Sequence, residues 1–314
     1  MMINASSPTP GPEWPSHVTL VEVGPRDGFQ AEKTFIPTEL KIEIIRGLVR
    51  AGLTQVQVAS FVHPKLVPQM ADAESVCAAL LPPPSGIRYS GFALNVRGVE
   101  RALATGLDCL DVSIAPDEGQ SRANAGMSVA KARAHAREMI STATAAGCTV
   151  RAGMQVVFGY RTPGDVPLAR VIEIAEEFAA VGVESISLAD STGMADPISI
   201  ERTVAEVRQA VGAVPIVLHL HDTRGMGLAN VVAGLRQGVT RFDSSLGGMG
   251  GCPFIAGATG NIPTDDTAYM LERMGIHTGV DHAAVSALAR RLEAFLGRRF
   301  DGKLHTLPVP EPAA

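Results

Sequence analysis

Eight short runs rich in Val, Ile and Leu, alternating with longer helical patterns, constrain this 314-residue chain more than any other feature. The runs cover residues 18–23, 55–60, 88–95, 109–115, 149–158, 184–189, 216–221 and 241–246, and helical patterns fall at 37–51, 97–105, 128–146, 167–181, 197–211 and 226–237. Strands that alternate with helices form βαβ units, which place their strands parallel in one sheet. Several helical patterns stop at a glycine, as in Ala51-Gly52, Ala146-Gly147 and Val181-Gly182, where a left-handed residue ends the helix. Eight parallel strands, each followed by a helix, close into a (β/α)8 TIM barrel, whereas an open doubly wound sheet more often has five or six. No G-x-G-x-x-G follows the first run. The last barrel helix is expected at 264–274, and a short additional C-terminal helix at 281–296. The expected organisation is a loose arm over 1–17, one catalytic barrel over 18–300 and a tail over 301–314.

Composition narrows the function. A formal net charge of −5 supplies no basic face to neutralise a run of phosphates, so no nucleic-acid partner is expected. No apolar stretch reaches 18 residues before Lys, Arg, Asp or Gly interrupts it, so no membrane span is expected either. The first 17 residues lack both the apolar core of a signal peptide and the Arg-rich pattern of a transit peptide. A cytoplasmic protein is expected, with Cys77, Cys109, Cys148 and Cys252 as reduced thiols, since no C-x-x-C pair occurs.

Barrels carry their chemistry at the C-terminal ends of the strands. There the sequence places Arg26 and Asp27 after the first run, Asp190 after the sixth, His219 and His221 on the seventh, and Cys252 and Asn261 after the eighth. His219-Leu220-His221 puts two imidazoles at i and i+2, on one face of a strand. Two imidazoles, a carboxylate and an amide oxygen suit a divalent cation with open positions, Mg or Mn first and Zn or Co as alternatives. The stretch Gly247-Gly248-Met249-Gly250-Gly251-Cys252-Pro253 reads as a mobile lid presenting a thiol to the site, and a plain solvent turn is the bland alternative.

The motif Val21-Glu22-Val23-Gly24-Pro25-Arg26-Asp27-Gly28 resembles the 3-hydroxy-3-methylglutaryl-CoA lyase family, within a wider group of metal-dependent barrel lyases and synthases. The likeness continues through Pro64-Lys65-Leu66-Val67-Pro68-Gln69-Met70, Ala189-Asp190-Ser191-Thr192-Gly193, His219-Leu220-His221-Asp222 and Gly250-Gly251-Cys252-Pro253. The resemblance implies that Asp27, His219, His221 and Asn261 hold the cation, that Arg26 faces the thioester or enolate oxygen, and that Cys252 is a catalytic loop thiol. It further implies substrate contacts from Arg26, Gln30, Gln57, Asn124 and Asp190, a CoA-thioester substrate and a homodimer or higher homo-oligomer. The expected reaction is retro-Claisen cleavage of a branched 3-hydroxyacyl-CoA to acetyl-CoA and a 3-oxo acid.

Two departures qualify the likeness. The family usually has Glu where this chain has Gln57, and residues 155, 160 and 161 on and after the fifth run are Gln, Tyr and Arg where the lyases have small residues and Cys. The competing readings are a Claisen-type synthase, a 4-hydroxy-2-oxo acid aldolase of the same barrel group, and a barrel that binds a CoA ester without turnover.

Overall fold

In the computed structural model, which describes residues 14–251 and 259–308, the eight runs become eight parallel strands closed into a barrel in chain order. They are β1 (Thr19–Glu22), β2 (Gln55–Ser60), β3 (Arg88–Ala93), β4 (Cys109–Ile114), β5 (Thr149–Met154), β6 (Ser185–Asp190), β7 (Ile216–Leu220) and β8 (Arg241–Ser244). Around them run α1 (Thr38–Arg50), α2 (Ala73–Leu80), α3 (Val96–Ala104), α4 (Glu118–Ala125), α5 (Val129–Ala145), α6 (Leu168–Ala180), α7 (Pro197–Val211), α8 (Gly227–Arg236) and α9 (Thr264–Arg273). The additional helix is α10 (His282–Leu296), tied to α1 by the Asp281 N–H donating to the Ala51 carbonyl at 2.8 Å. Among the described residues no helix is long and apolar enough to cross a membrane.

The core lies between the outward strand faces and the helix ring, where Val56, Val58, Leu110, Val150, Ile186, Leu218 and Phe242 are buried. Inside the barrel the alternate residues are largely polar, and that alternation is what frees the lumen for chemistry. Gly52 shows why one helix must stop where it does: its φ is +96°, and a Cβ there would meet the Gly279 carbonyl at 2.0 Å.

Two differences from the sequence reading have physical causes. Helices α2 and α4 are not among the expected helical patterns: each has only eight residues, too few for a repeating apolar stripe to stand out, α2 being the helix between β2 and β3 and α4 lying between β4 and α5. The fifth strand was expected to run to residue 158 but ends at Met154. Val156 takes φ 48°, a left-handed conformation that ends the extended chain, and the Val157 N–H then turns to the Ala189 carbonyl at 2.9 Å. A β-branched residue in that region is strained, and such strain gathers beside functional sites.

At the base of the first turn, Glu22 is fully buried and accepts from the Gly24 and Leu246 amides at 2.8 and 3.1 Å. Thr264 Oγ1 lies 2.8 Å from both Glu22 Oε2 and Ser244 Oγ. The Ser244 hydroxyl can donate to Thr264 Oγ1 while the Thr264 hydroxyl donates to Glu22, so these hydrogen bonds hold the carboxyl in either protonation state. Burial outweighs the hydrogen bonds that pull this carboxyl down and pushes it up to about 7. Because the folded-state value is raised, the stability this group contributes is full below about pH 4.5 and is lost as pH rises through about 7. Glu22→Gln keeps every hydrogen bond without the charge. It should melt on the order of 5 °C above the wild type at pH 8, with the gap closing toward pH 5. Thermal melts that stay parallel across that range would refute the assignment.

Candidate active site

The first turn after β1 places the acid. Residues Gly24–Gly28 form a single wide helical turn, with the Arg26 and Asp27 amides donating to the Val23 carbonyl at 3.1 and 2.6 Å. Gly24 is needed for close packing, since a Cβ there would come within 2.4 Å of Leu246 and 2.5 Å of the Glu22 carboxyl. The turn presents Asp27 to the barrel mouth beside β7.

On β7 and just past it, His219 and His221 face the lumen while Leu220 between them points into the core. The register pairs His219 with Asp243 of β8. His219 Nδ1 donates to Asp243 Oδ2 at 3.2 Å, which leaves Nε2 with its lone pair exposed to the site. Arg151 of β5 in turn donates to Asp243 Oδ1 at 2.7 Å and sits 3.4 Å from Asp111 of β4, which accepts from the Ser90 hydroxyl at 2.6 Å. These buried charges hold one another across the lumen. Arg151 is kept charged by its two carboxylates, and Asp243 is held below the usual carboxylate range by Arg151 and His219 despite its burial.

Asn261 arrives from the far side of the eighth loop. The chain returning at 260–262 pairs with the end of β7, through Asp222 N–H to Gly260 O at 3.1 Å and Ile262 N–H to Leu220 O at 2.9 Å. Asn261 Nδ2 then donates to Asp27 Oδ2 at 2.8 Å and to the Met249 carbonyl at 3.1 Å, while its buried Oδ1 has no partner among the described residues.

The donor set fits a divalent cation. One ligand atom from each of Asp27, His219 and His221 lies within 4.8 Å of the others, and the two Nε2 atoms are 3.2 Å apart. Neighbouring ligands of one ion at about 2.1 Å sit about 3 Å from each other. Protonation states agree. Burial and the neighbouring His219 push His221 down to about 3, so it is the neutral imidazole that a metal requires. Burial alone would raise Asp27, but Arg26 and the two histidines outweigh it and hold the carboxyl at about 2. The buried Asn261 Oδ1, without a partner among the described residues, is a fourth donor atom free for such an ion.

Arg26 spans the gap between this cluster and the cavity. Its Nη1 pairs with Asp27 Oδ1 at 2.5 Å, its Nε donates to Gln57 Oε1, and its guanidinium lies 4.5 Å from the centre of the Phe92 ring. The cavity itself is about 730 Å³, and Arg26, Asp27, Gln30, Gln57, Asn124, His219 and His221 all face it. Asn124 reaches it from α4, donating to Gln155 Oε1 at 3.1 Å, and Gln30 Oε1 is buried there without a partner among the described residues.

One sequence-selected residue lies elsewhere. Asp190 is fully buried and is not part of the cavity wall. Its two oxygens accept from the Met194 and Ala195 amides at 2.8 and 3.1 Å, so it shapes the β6 to α7 loop instead of meeting substrate. Burial raises it to about 6, against those two amides. Cys252 lies outside the described residues. Cys77, Cys109 and Cys148 are buried, and burial raises their thiols to about 11, 12 and 11, values that suit inert core residues.

The sequence reading missed Asp243, Arg151 and Asp111. For Asp111 and Arg151 the signal was present, since each is a charge inside a mostly apolar strand in step with the lumen-facing positions, whereas β8 reads Arg-Phe-Asp-Ser and sets Asp243 among other polar residues. Asp243→Asn should weaken divalent-ion affinity about 10- to 100-fold, because an amide at this place no longer fixes the His219 tautomer. Calorimetric titration with Mn would read it, and unchanged affinity would remove Asp243 from the site.

A family model described as HMGL-like matches residues 17–292. The chain belongs to the HMGL-like family. It is 38% identical to a hydroxymethylglutaryl-CoA lyase of Bacillus subtilis over 91% of this chain and 95% of that one. It is 37% identical to the mitochondrial hydroxymethylglutaryl-CoA lyase of Bos taurus, over 93% of this chain and 89% of the relative. An HMG-CoA lyase from Acinetobacter baumannii, solved in complex with coenzyme A and 3-methylmalate, superposes with a TM-score of 0.88 at 34% identity, covering 94% and 98% of the two chains. HMGL-like membership thus covers the whole barrel, including every strand that contributes to the cation site.

Proposed function

We propose that this protein is a divalent-metal-dependent lyase that cleaves 3-hydroxy-3-methylglutaryl-CoA to acetyl-CoA and acetoacetate, with Mg or Mn as the resident ion. The observation that carries the reading is the convergence of Asp27, His219, His221 and the Asn261 oxygen at one end of a cavity that Arg26 also faces. A cation held by those four would acidify the substrate's tertiary hydroxyl and orient its oxygens.

The chain's own residues do the rest. Cleaving the bond between the carbinol carbon and the thioester's α-carbon leaves an enolate, whose negative charge needs a donor already in place. Arg26 is such a donor: two of its nitrogens are engaged by Gln57 and Asp27, so the third is aimed by a guanidinium that cannot swing. Gln57 serves here through its carbonyl oxygen, which accepts from Arg26 Nε, and a carboxylate is not required for that bond. The polar wall of Gln30, Asn124 and Gln155 receives the acyl group's remaining oxygens. Protonation of the enolate falls to Cys252, which follows Gly250-Gly251 in the sequence.

The decisive experiment incubates the purified protein with Mg or Mn and the CoA ester and follows acetyl-CoA and acetoacetate together. Equal amounts of both, abolished by a chelator and restored by added ion, are expected. Absence of both products with the ion bound would sink the reading.

A further inference from the structure

Only two glycines lie inside the described strands, Gly91 of β3 and Gly153 of β5, and they are there for different reasons. Gly91 points outward, where a Cβ would come within 2.7 Å of the Phe61 ring and 2.9 Å of Leu107. Packing explains it. Gly153 lies in step with Arg151 and Gln155 on the lumen face, and its φ is outside the left-handed region. The atoms nearest to a Cβ at 153 would be Ser113 Oγ at 3.4 Å, Ser187 Cβ at 3.5 Å and Ser113 Cβ at 3.6 Å, all ordinary contacts. Neither backbone geometry nor protein packing therefore requires a glycine at this place. Glycine weakens a strand interior, so it marks close approach by something else.

The neighbours say what approaches. The strand register sets Ser113, Gly153 and Ser187 side by side across β4, β5 and β6, and all three face the cavity. This row of small residues is a recess in the wall opposite the first turn, since β5 stands four strands from β1 in a barrel of eight. The cation ligands come from the first turn, β7 and the segment that pairs with it. A carbinol oxygen held at that cluster turns the remaining substituents of its carbon toward β4–β6. The recess carries two hydroxyls, and the Gln155 amide stands one lumen position above Gly153.

We propose that this recess takes the third carbon substituent of the tertiary alcohol, and that the preferred substituent is larger than methyl and ends in a hydrogen-bonding group. The inference rests on the lyase reading above and names the acyl class within it.

Three CoA esters test it: 3-hydroxy-3-methylglutaryl-CoA and its analogues with hydroxyethyl or propyl in place of methyl, the last two being nearly equal in size. The wild type should cleave the hydroxyethyl ester with a kcat/KM at or above that for the methyl ester, and the propyl ester less well than the hydroxyethyl one. Gly153→Val should lower the hydroxyethyl-to-methyl ratio of kcat/KM at least about 30-fold, as expected for added methyls in a fitted pocket. Gly153→Ala, whose Cβ has room, should give a smaller shift in the same direction, and circular dichroism confirms that both variants fold. A wild type that prefers the methyl ester to the hydroxyethyl one, or a ratio unmoved by both variants, overturns the proposal and leaves the lyase reading standing. Preference for propyl over hydroxyethyl overturns it too. Failure to cleave any of the three esters overturns the lyase reading and this proposal with it.

Discussion

Replacing Asp27 with Ala is expected to reduce turnover at least about 10³-fold and to leave the purified protein without a stoichiometric divalent ion. Asp27 is the anionic member of the Asp27, His219, His221 cluster and the point where three elements meet. It accepts from Arg26 Nη1 on its own turn and from Asn261 Nδ2 on the segment returning from the eighth loop. Taking the carboxylate away removes the ligand charge and frees both partners, so the loss exceeds that of an ordinary surface acid. Asp27→Asn separates the two effects. It can still accept a hydrogen bond but carries no charge, so ion content should fall nearly as far as in the alanine variant. Metal analysis after dialysis, alongside kcat/KM at saturating Mn, reads both. An Asp27→Asn protein that keeps its ion and half its activity would show that the carboxylate is not a ligand.

Much of this site was readable before the fold was known, and the reason is periodicity. His219-Leu220-His221 is legible because alternation along a strand fixes which side chains share a face. The strand register then adds what alternation cannot: that His219 stands across from Asp243, and that Ser113, Gly153 and Ser187 form one row. These depend on sheet closure, a relation between segments tens of residues apart. Strand β5 was overextended for a related reason. Val156, Val157 and Phe158 read as strand by composition, yet the left-handed Val156 turns them toward β6, a tertiary override of a local preference. Asp190 shows the opposite failure. Its place at the end of β6 was right, but two backbone amides of its own loop claim its carboxylate. Nothing in a sequence distinguishes an acid facing substrate from one that staples a turn.

Arg26→Met should lower kcat by about 10²- to 10³-fold while changing KM far less, because its donor is needed most where the enolate charge develops. Methionine fills similar space against Phe92, so the protein should fold and keep its ion. Arg26→Lys is expected to recover little of the loss. The arginine is useful because Gln57 holds Nε and Asp27 holds Nη1 while the plane rests on Phe92, which fixes the direction of the remaining nitrogen. An ammonium on a flexible stem can be charged but cannot be aimed through two other bonds. The split between kcat and ion content is therefore the informative measurement. A kcat that collapses with the ion retained marks Arg26 as the oxyanion donor. If the ion leaves with the guanidinium, Arg26 acts chiefly by holding Asp27 in place, and the enolate must be stabilised by another group.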